Sequence, residues 1–148
     1  MYKNGIQMYR KTNVVTADPK RLVLMCYEGA IDSLKIGKQK IAEKDYEEKG
    51  KNIAKAQDII SELKSSLNYK EGGTIAANLD SLYNYMLKRI TEADLENDTQ
   101  AFEDVIGMLG DLKSAWEEIF YEQKNGVGSE VAAPKDVGEG EIVSYSSI

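Results

Sequence analysis

This chain of 148 residues has no histidine, one cysteine, two prolines and no apolar run longer than the six residues 22–27. Each shortage removes a class of function. Without histidine, the commonest metal ligand, the commonest general base and the serine-type triad all go together. The single cysteine, Cys26, cannot form an internal disulfide and sits in that apolar run. A reducing cytoplasm is its simplest setting, and its expected role is that of a small buried hydrophobe. Six apolar residues fall well short of the roughly 20 that cross a bilayer, so no transmembrane helix and no stable membrane insertion are expected. The first residues lack the compact apolar stretch and small-residue cleavage site of a secretory signal, and the expected location is cytoplasmic.

Other chemistry is missing too. No G-x-x-x-x-G-K-[ST] or G-x-G-x-x-G stretch occurs, so no phosphate-cradling loop is present. The acidic pairs Glu47-Glu48 and Glu117-Glu118 are adjacent on their helices, where neighbours point about 100° apart and do not converge on one ion. Tyr83 and Tyr85 as acids find little support, and the pair Lys88 and Arg89 reads as surface. No enzyme and no cofactor are expected. The net charge of −6 argues against nucleic acid as a partner. Its distribution is uneven, because residues 1–21 carry Lys3, Arg10, Lys11, Lys20 and Arg21 against Asp18 alone. That is +4, which leaves −10 for the rest of the −6 total.

What is present is helical periodicity. Hydrophobic residues at 42% and charged residues at 30% describe one globular domain of ordinary size. Asp18-Pro19 is a helix start, with an Asx cap followed by proline where no intrahelical bond is lost. The helix it opens is predicted to run to about residue 43, with Leu22, Met25, Cys26 and Gly29 on one side and Tyr27, Ile31, Leu34 and Ile41 on another. Asp45 is the expected cap of a second helix, in which Ile53, Ala56, Ile60, Leu63 and Leu67 form a heptad-like seam. Gly72 and Gly73 end the next loop, and a third helix is predicted from about residue 74 to 95. Its stripe is Leu79, Leu82, Met86 and Ile90, with Tyr83 and Leu87 beside it and Tyr85 on a third bearing. Asp98 is expected to cap a fourth helix carrying Phe102, Val105, Leu109, Leu112, Trp116 and Ile119.

Four long helices with short connections prefer antiparallel neighbours, so the expected fold is all-α, an up-down four-helix bundle. The expected organisation is an N-terminal arm at 1–17, the bundle at 18–122 and a disordered Gly-rich acidic tail at 123–148. The third helix is unusually apolar: either it is central in the bundle, or part of its surface is kept for a partner. Gly107 and Gly110 sit inside the fourth helix at a cost of about 1 kcal/mol each. They either let a neighbouring helix approach or open a groove. Met8, Met25, Met86 and Met108 suit an adaptable surface or a core.

Several ordered motifs then resemble one family. They are Gln7-Met8-Tyr9; Thr16-Ala17-Asp18-Pro19 with Leu22 and Met25-Cys26-Tyr27-Glu28-Gly29; Lys55-Ala56-Gln57-Asp58-Ile59-Ile60; Leu82-Tyr83-Asn84-Tyr85-Met86 with Arg89; Ala93-Asp94-Leu95 with Asn97-Asp98; and Ala115-Trp116. In this order and spacing, from about residue 5 to 118, the chain resembles the flagellar export chaperone family FliS. Cys26 departs from the leucine usual there, and the tail matches no pattern of that family.

The resemblance implies a four-helix bundle that holds flagellin in the cytoplasm. The C-terminal helical segment of flagellin, disordered when free, would lie in hydrophobic grooves, which blocks premature polymerisation and aids flagellar type III secretion. An export-gate component and flagellar regulators are further implied partners. The family's N-terminal segment can cover part of the groove, and here Ile6 and Tyr9 would be the covering side chains. The groove set drawn from the apolar stripes is Ile53, Ala56, Ile60, Leu79, Tyr83, Met86, Val105 and Leu109, although the same side chains could form the core. The alternative is a non-enzymatic helical adaptor or a homodimeric structural module whose spare stripe is a dimer seam.

Overall fold

The computed structural model describes residues 18–122. The expected arm and tail lie outside them, and so do Ile6 and Tyr9. The described residues form four helices: α1 (Pro19–Ala42), α2 (Tyr46–Ser65), α3 (Tyr69–Glu96) and α4 (Thr99–Glu117), followed by a π-helical turn, Glu118–Glu122. Successive helices are neighbours, and α4 closes the ring against α1. This is the up-down bundle that short connections favour.

Each helix begins on an Asx cap. The side chain of Asp18 accepts from Arg21 N at 2.8 Å, Asp45 from Glu48 N at 3.2 Å, Asn68 from Glu71 N at 3.0 Å, and Asp98 from Gln100 N and Ala101 N at 3.1 and 3.2 Å. Each bond satisfies an amide that the helix leaves without a carbonyl. Asn68 departs from expectation, since it starts α3 one turn before the predicted residue 74. That extra turn ends at Gly73, whose φ of 51° and ψ of −127° are not helical. At the far end of α3, Asn97 takes the left-handed conformation with φ 54°, which its short polar side chain tolerates.

The core runs through all four helices. On α3 the inward stripe is Leu79, Tyr83, Met86, Ile90 and Ala93, while Leu82 and Leu87 are half-buried. Steps of four, three, four and three keep one bearing over the whole helix, and a step of three from Leu79 to Leu82 departs from it. On α1 the core side is Val23, Leu24, Tyr27, Ala30 and Leu34; Leu22, Met25 and Cys26 are half-buried instead. Cys26 packs against the core rather than inside it.

Two features set the helix spacing. Gly37 lets α1 lie close on α2, since a Cβ there would fall 2.6 Å from Ile53 Cδ1. At the end where α2 begins, the almost fully buried Lys49 donates to Asp94 O at 2.9 Å and Asn97 Oδ1 at 2.7 Å, and pairs with Asp94 Oδ1 at 2.8 Å. It thereby ties α2 to the α3–α4 turn. A buried ammonium is tolerable only with such a full set of acceptors.

Candidate functional site

The eight described residues of the expected groove set are Ile53, Ala56, Ile60, Leu79, Tyr83, Met86, Val105 and Leu109, and the structure gathers all eight into the core cluster. Seven are at most 1% exposed, and Leu79 retains 7%. The regular period that selected them marks the inward bearing of each helix, which is the core's bearing. Tyr83 is also held by polar contacts. Its hydroxyl is hydrogen-bonded to that of Tyr27, and Trp116 Nε1 donates to the Tyr27 hydroxyl at 3.0 Å. Three helices thus meet in one buried network, α1, α3 and α4, where a polar group without partners would be costly. Sequence reasoning missed this network; its only signal was a tyrosine on each of two inward stripes and a single tryptophan on a third.

The apolar surface lies beside these stripes. Arg89 on α3 pairs with Asp104 on α4 at 3.1 Å and fixes the register of that antiparallel seam. Gln100 and Arg89 both donate to the Asp104 carboxylate and lower its pKa. From this pair, Tyr85 and Leu82 follow along α3, one and two turns away, while Met108 and Leu112 follow along α4. Leu82, Met108 and Leu112 are half-buried and Tyr85 is 51% exposed. On the other side of α4, Glu28 of α1 pairs with Lys113 at 3.5 Å and Lys38 with Glu103. Between those two contacts lie Ile31 on α1 with Ile106 and Gly110 on α4, both isoleucines half-buried.

The glycines of α4 separate the two readings left open by the sequence. A Cβ at Gly107 or at Gly110 would meet nothing within 4 Å. Close packing inside the bundle therefore does not account for them. They lower the ridge of α4 between two apolar seams, where added side chains would stand between the seams and anything lying across them.

Catalytic or metal chemistry finds no support in this surface. Among the described residues, no group of three or more His, Cys, Asp or Glu is placed to hold a metal ion. Of the acidic pairs, Glu48 pairs with Lys51 and Glu117 with Lys113 along their own helices. Among the described residues no helix is long and apolar enough to cross a membrane.

Fold and surface together define the class: an all-α bundle with solvent-facing apolar seams on both sides of its last helix. Comparison with known proteins is consistent with this and more specific. The family model described as "Flagellar protein FliS" matches residues 2–123. The chain is 39% identical over 133 residues to the flagellar secretion chaperone FliS of Vibrio cholerae, covering 87% of this chain and 98% of that protein. It is 37% identical to the flagellar secretion chaperone FliS of Salmonella typhimurium, over 78% of this chain and 90% of that protein. To the protein of the same name in Bacillus subtilis it is 35% identical, over 86% and 95%. The chain belongs to the FliS family.

Proposed function

We propose that this protein is a cytoplasmic flagellar export chaperone that holds the C-terminal helical segment of flagellin along the seams beside α4. The observation that carries the reading is the pairing of Gly107 and Gly110, which no neighbour in the bundle requires, with the row of half-buried Leu82, Met108 and Leu112 and exposed Tyr85. Family membership supports it, because relatives covering most of the chain are named flagellar secretion chaperones. A segment that folds as it binds gives up ordering entropy, so its holder must present a long apolar surface rather than one pocket. Counted from the Arg89–Asp104 pair, the seam beside α4 extends through residues 104–112, about two helical turns.

In this reading the eight expected groove residues act as the floor. Ile53, Ala56, Ile60, Leu79, Tyr83, Met86, Val105 and Leu109 shape the seams from beneath, and the half-buried row makes the outer contacts. Ile6 and Tyr9 would cover part of the surface until flagellin arrives, helped by the +4 of residues 1–21 against the −10 elsewhere. An export-gate component and flagellar regulators would be further partners. The function is binding and not catalysis.

Calorimetry against the C-terminal helical segment of flagellin tests this. The expected result is a 1:1 complex with a large negative heat-capacity change, the mark of apolar burial with coupled folding. No heat at micromolar concentrations overturns the reading. Light scattering on the chain alone tests the dimer-seam alternative, which predicts a stable homodimer.

A further inference from the structure

The flank of α4 that faces α1 has its own geometry and its own charge. Glu28 of α1 pairs with Lys113 of α4 and Lys38 with Glu103, so later residues of α1 meet earlier residues of α4 and the two helices run antiparallel. Between those pairs lie the half-buried Ile31 and Ile106, with Gly110, where a Cβ would meet nothing within 4 Å. At the Lys38 end the seam opens into a hollow of about 290 Å³ lined by Lys35, Lys38, Gln39, Ala42 and Thr99. Among the described residues Lys35 has no ion-pair partner.

Charge sets this seam apart from the rest of the bundle. Arg21, Lys35, Lys38 and Lys113 stand against Glu28, Glu103 and Glu117, four positive charges to three negative. Residues 22–122 as a whole hold 12 basic residues and 20 acidic ones, a net −8. An acidic segment brought to this seam therefore meets a strip whose charge is opposite to that of the body around it.

Such a segment starts where α4 stops. Residues 123–148 carry Glu130, Asp136, Glu139 and Glu141 against Lys124 and Lys135, a net −2, and Ile142, Val143, Tyr145 and Ile148 follow the last of those carboxylates. The FliS family model ends at residue 123, so family membership assigns this segment nothing. From the end of α4 back to Gly110 is about 18 Å at 1.5 Å per helical residue. The stretch 123–142 spans up to about 66 Å when extended, so the apolar residues after it reach the seam with length to spare.

We propose that residues 139–148 dock in cis on the α1–α4 seam, with their apolar side chains over Ile31, Ile106 and Gly110 and their carboxylates among the lysines of the seam, and so close one of the two seams beside α4 while the chain is free. The docking stands apart from the chaperone reading; its consequence, competition with flagellin for that seam, rests on it. Tethering makes a weak contact sufficient, because a flexible connection holds the segment at a roughly millimolar effective concentration. A tail that closes the seam about nine-tenths of the time leaves a competent fraction of about one-tenth, and the apparent affinity for a competing ligand falls about tenfold.

Methyl NMR on the full chain reads the docking. Tyr145→Asp changes no residue of the bundle, and it should shift the Ile31 and Ile106 methyl signals while leaving those of the core residues Ile60 and Ile90 in place. Glu139→Lys together with Glu141→Lys should move the same two signals in the same direction. Unmoved Ile31 and Ile106 signals overturn the proposal, whether the tail is then free or paired with the basic residues of 1–21. Shifts at Leu82 and Leu112 instead overturn the choice of seam, and shifts that vanish on dilution overturn docking in cis in favour of a second copy. For the consequence, calorimetry should show Tyr145→Asp binding the flagellin C-terminal segment about tenfold more tightly than the unmodified chain does. Equal affinity overturns the competition alone. If the methyls shift as expected and no form of the chain binds the segment, the docking stands and the chaperone reading falls.

Discussion

Gly37 and Gly107 are both glycines in the middle of a helix, and their surroundings are opposite. At Gly37 the α1–α2 seam is closed so tightly that a Cβ would fall 2.6 Å from Ile53 Cδ1, whereas at Gly107 on α4 it would meet nothing within 4 Å. In the first case the bundle accounts for the glycine, because a side chain there would have to displace the buried Ile53 side chain. In the second the bundle gains nothing from it and still bears the loss in helix propensity. The two seams thus contrast a side of tight internal packing with a side left open along α4.

Charged substitutions should separate the two sides most strongly. Tyr83→Asp or Leu109→Asp places a carboxylate in the core without partners, which costs several kcal/mol against a total stability of about 5–15 kcal/mol. Loss of the cooperative thermal transition by circular dichroism is expected. Leu82→Asp and Tyr85→Asp, on the open seam, should keep helix content and melt cooperatively. Their flagellin-segment affinity should fall at least about tenfold, or about 1.4 kcal/mol, by calorimetry. If Tyr85→Asp bound normally, the open side would not be the binding side.

The same division explains how much was legible in the sequence. Asp18, Asp45 and Asp98 were readable as caps because capping is a local interaction between a side chain and amides two or three residues on. The inward bearings of α2 and α4 followed from steps of three and four that hold over many residues. Which of two adjacent stripes faces inward depends on the neighbouring helix, and the sequence does not contain that angle: Leu82 turned outward and Tyr83 inward. For the same reason the expected groove set consists of core residues, since periodicity reports the strongest apolar bearing and a surface seam lies to one side of it. The Lys49 clamp and the Tyr27–Tyr83–Trp116 network join residues far apart in the chain, and no local pattern announces either.

Smaller changes refine the contrast. Tyr27→Phe removes the hydroxyl that accepts from Trp116 and bonds to Tyr83, and the loss should be about 1–3 kcal/mol in urea unfolding. Gly37→Ala and Gly107→Ala should then differ in sign. At Gly37 the added methyl displaces Ile53, and overpacking of about 1–3 kcal/mol outweighs the gain in propensity, so the midpoint should fall. At Gly107 the propensity gain of about 1 kcal/mol comes without a clash, so the midpoint should rise. The decisive second measurement is affinity: Gly107→Ala should weaken flagellin-segment binding while stabilising the chain alone. A variant that is stabilised and binds as before would show that the space above Gly107 is not used.

The weakest expected effect concerns what holds the open seam together. Its rim is the exposed pair of Arg89 and Asp104, with Gln100 also donating to the carboxylate. Gln100 and then Arg89 lower the Asp104 pKa below its ordinary value. A carboxylate whose folded pKa is lowered adds stability above its unfolded pKa and loses it as the pH falls through the folded value. Asp104→Asn should therefore lower the urea midpoint slightly at pH 7, and the difference should shrink towards zero as acid protonates Asp104 in the unmodified chain. Raising the salt concentration at pH 7 should reduce it too, since exposed pairs are screened. A large, salt-insensitive loss would mean that this seam is as firmly closed as the one at Gly37, and the contrast between the two sides would disappear.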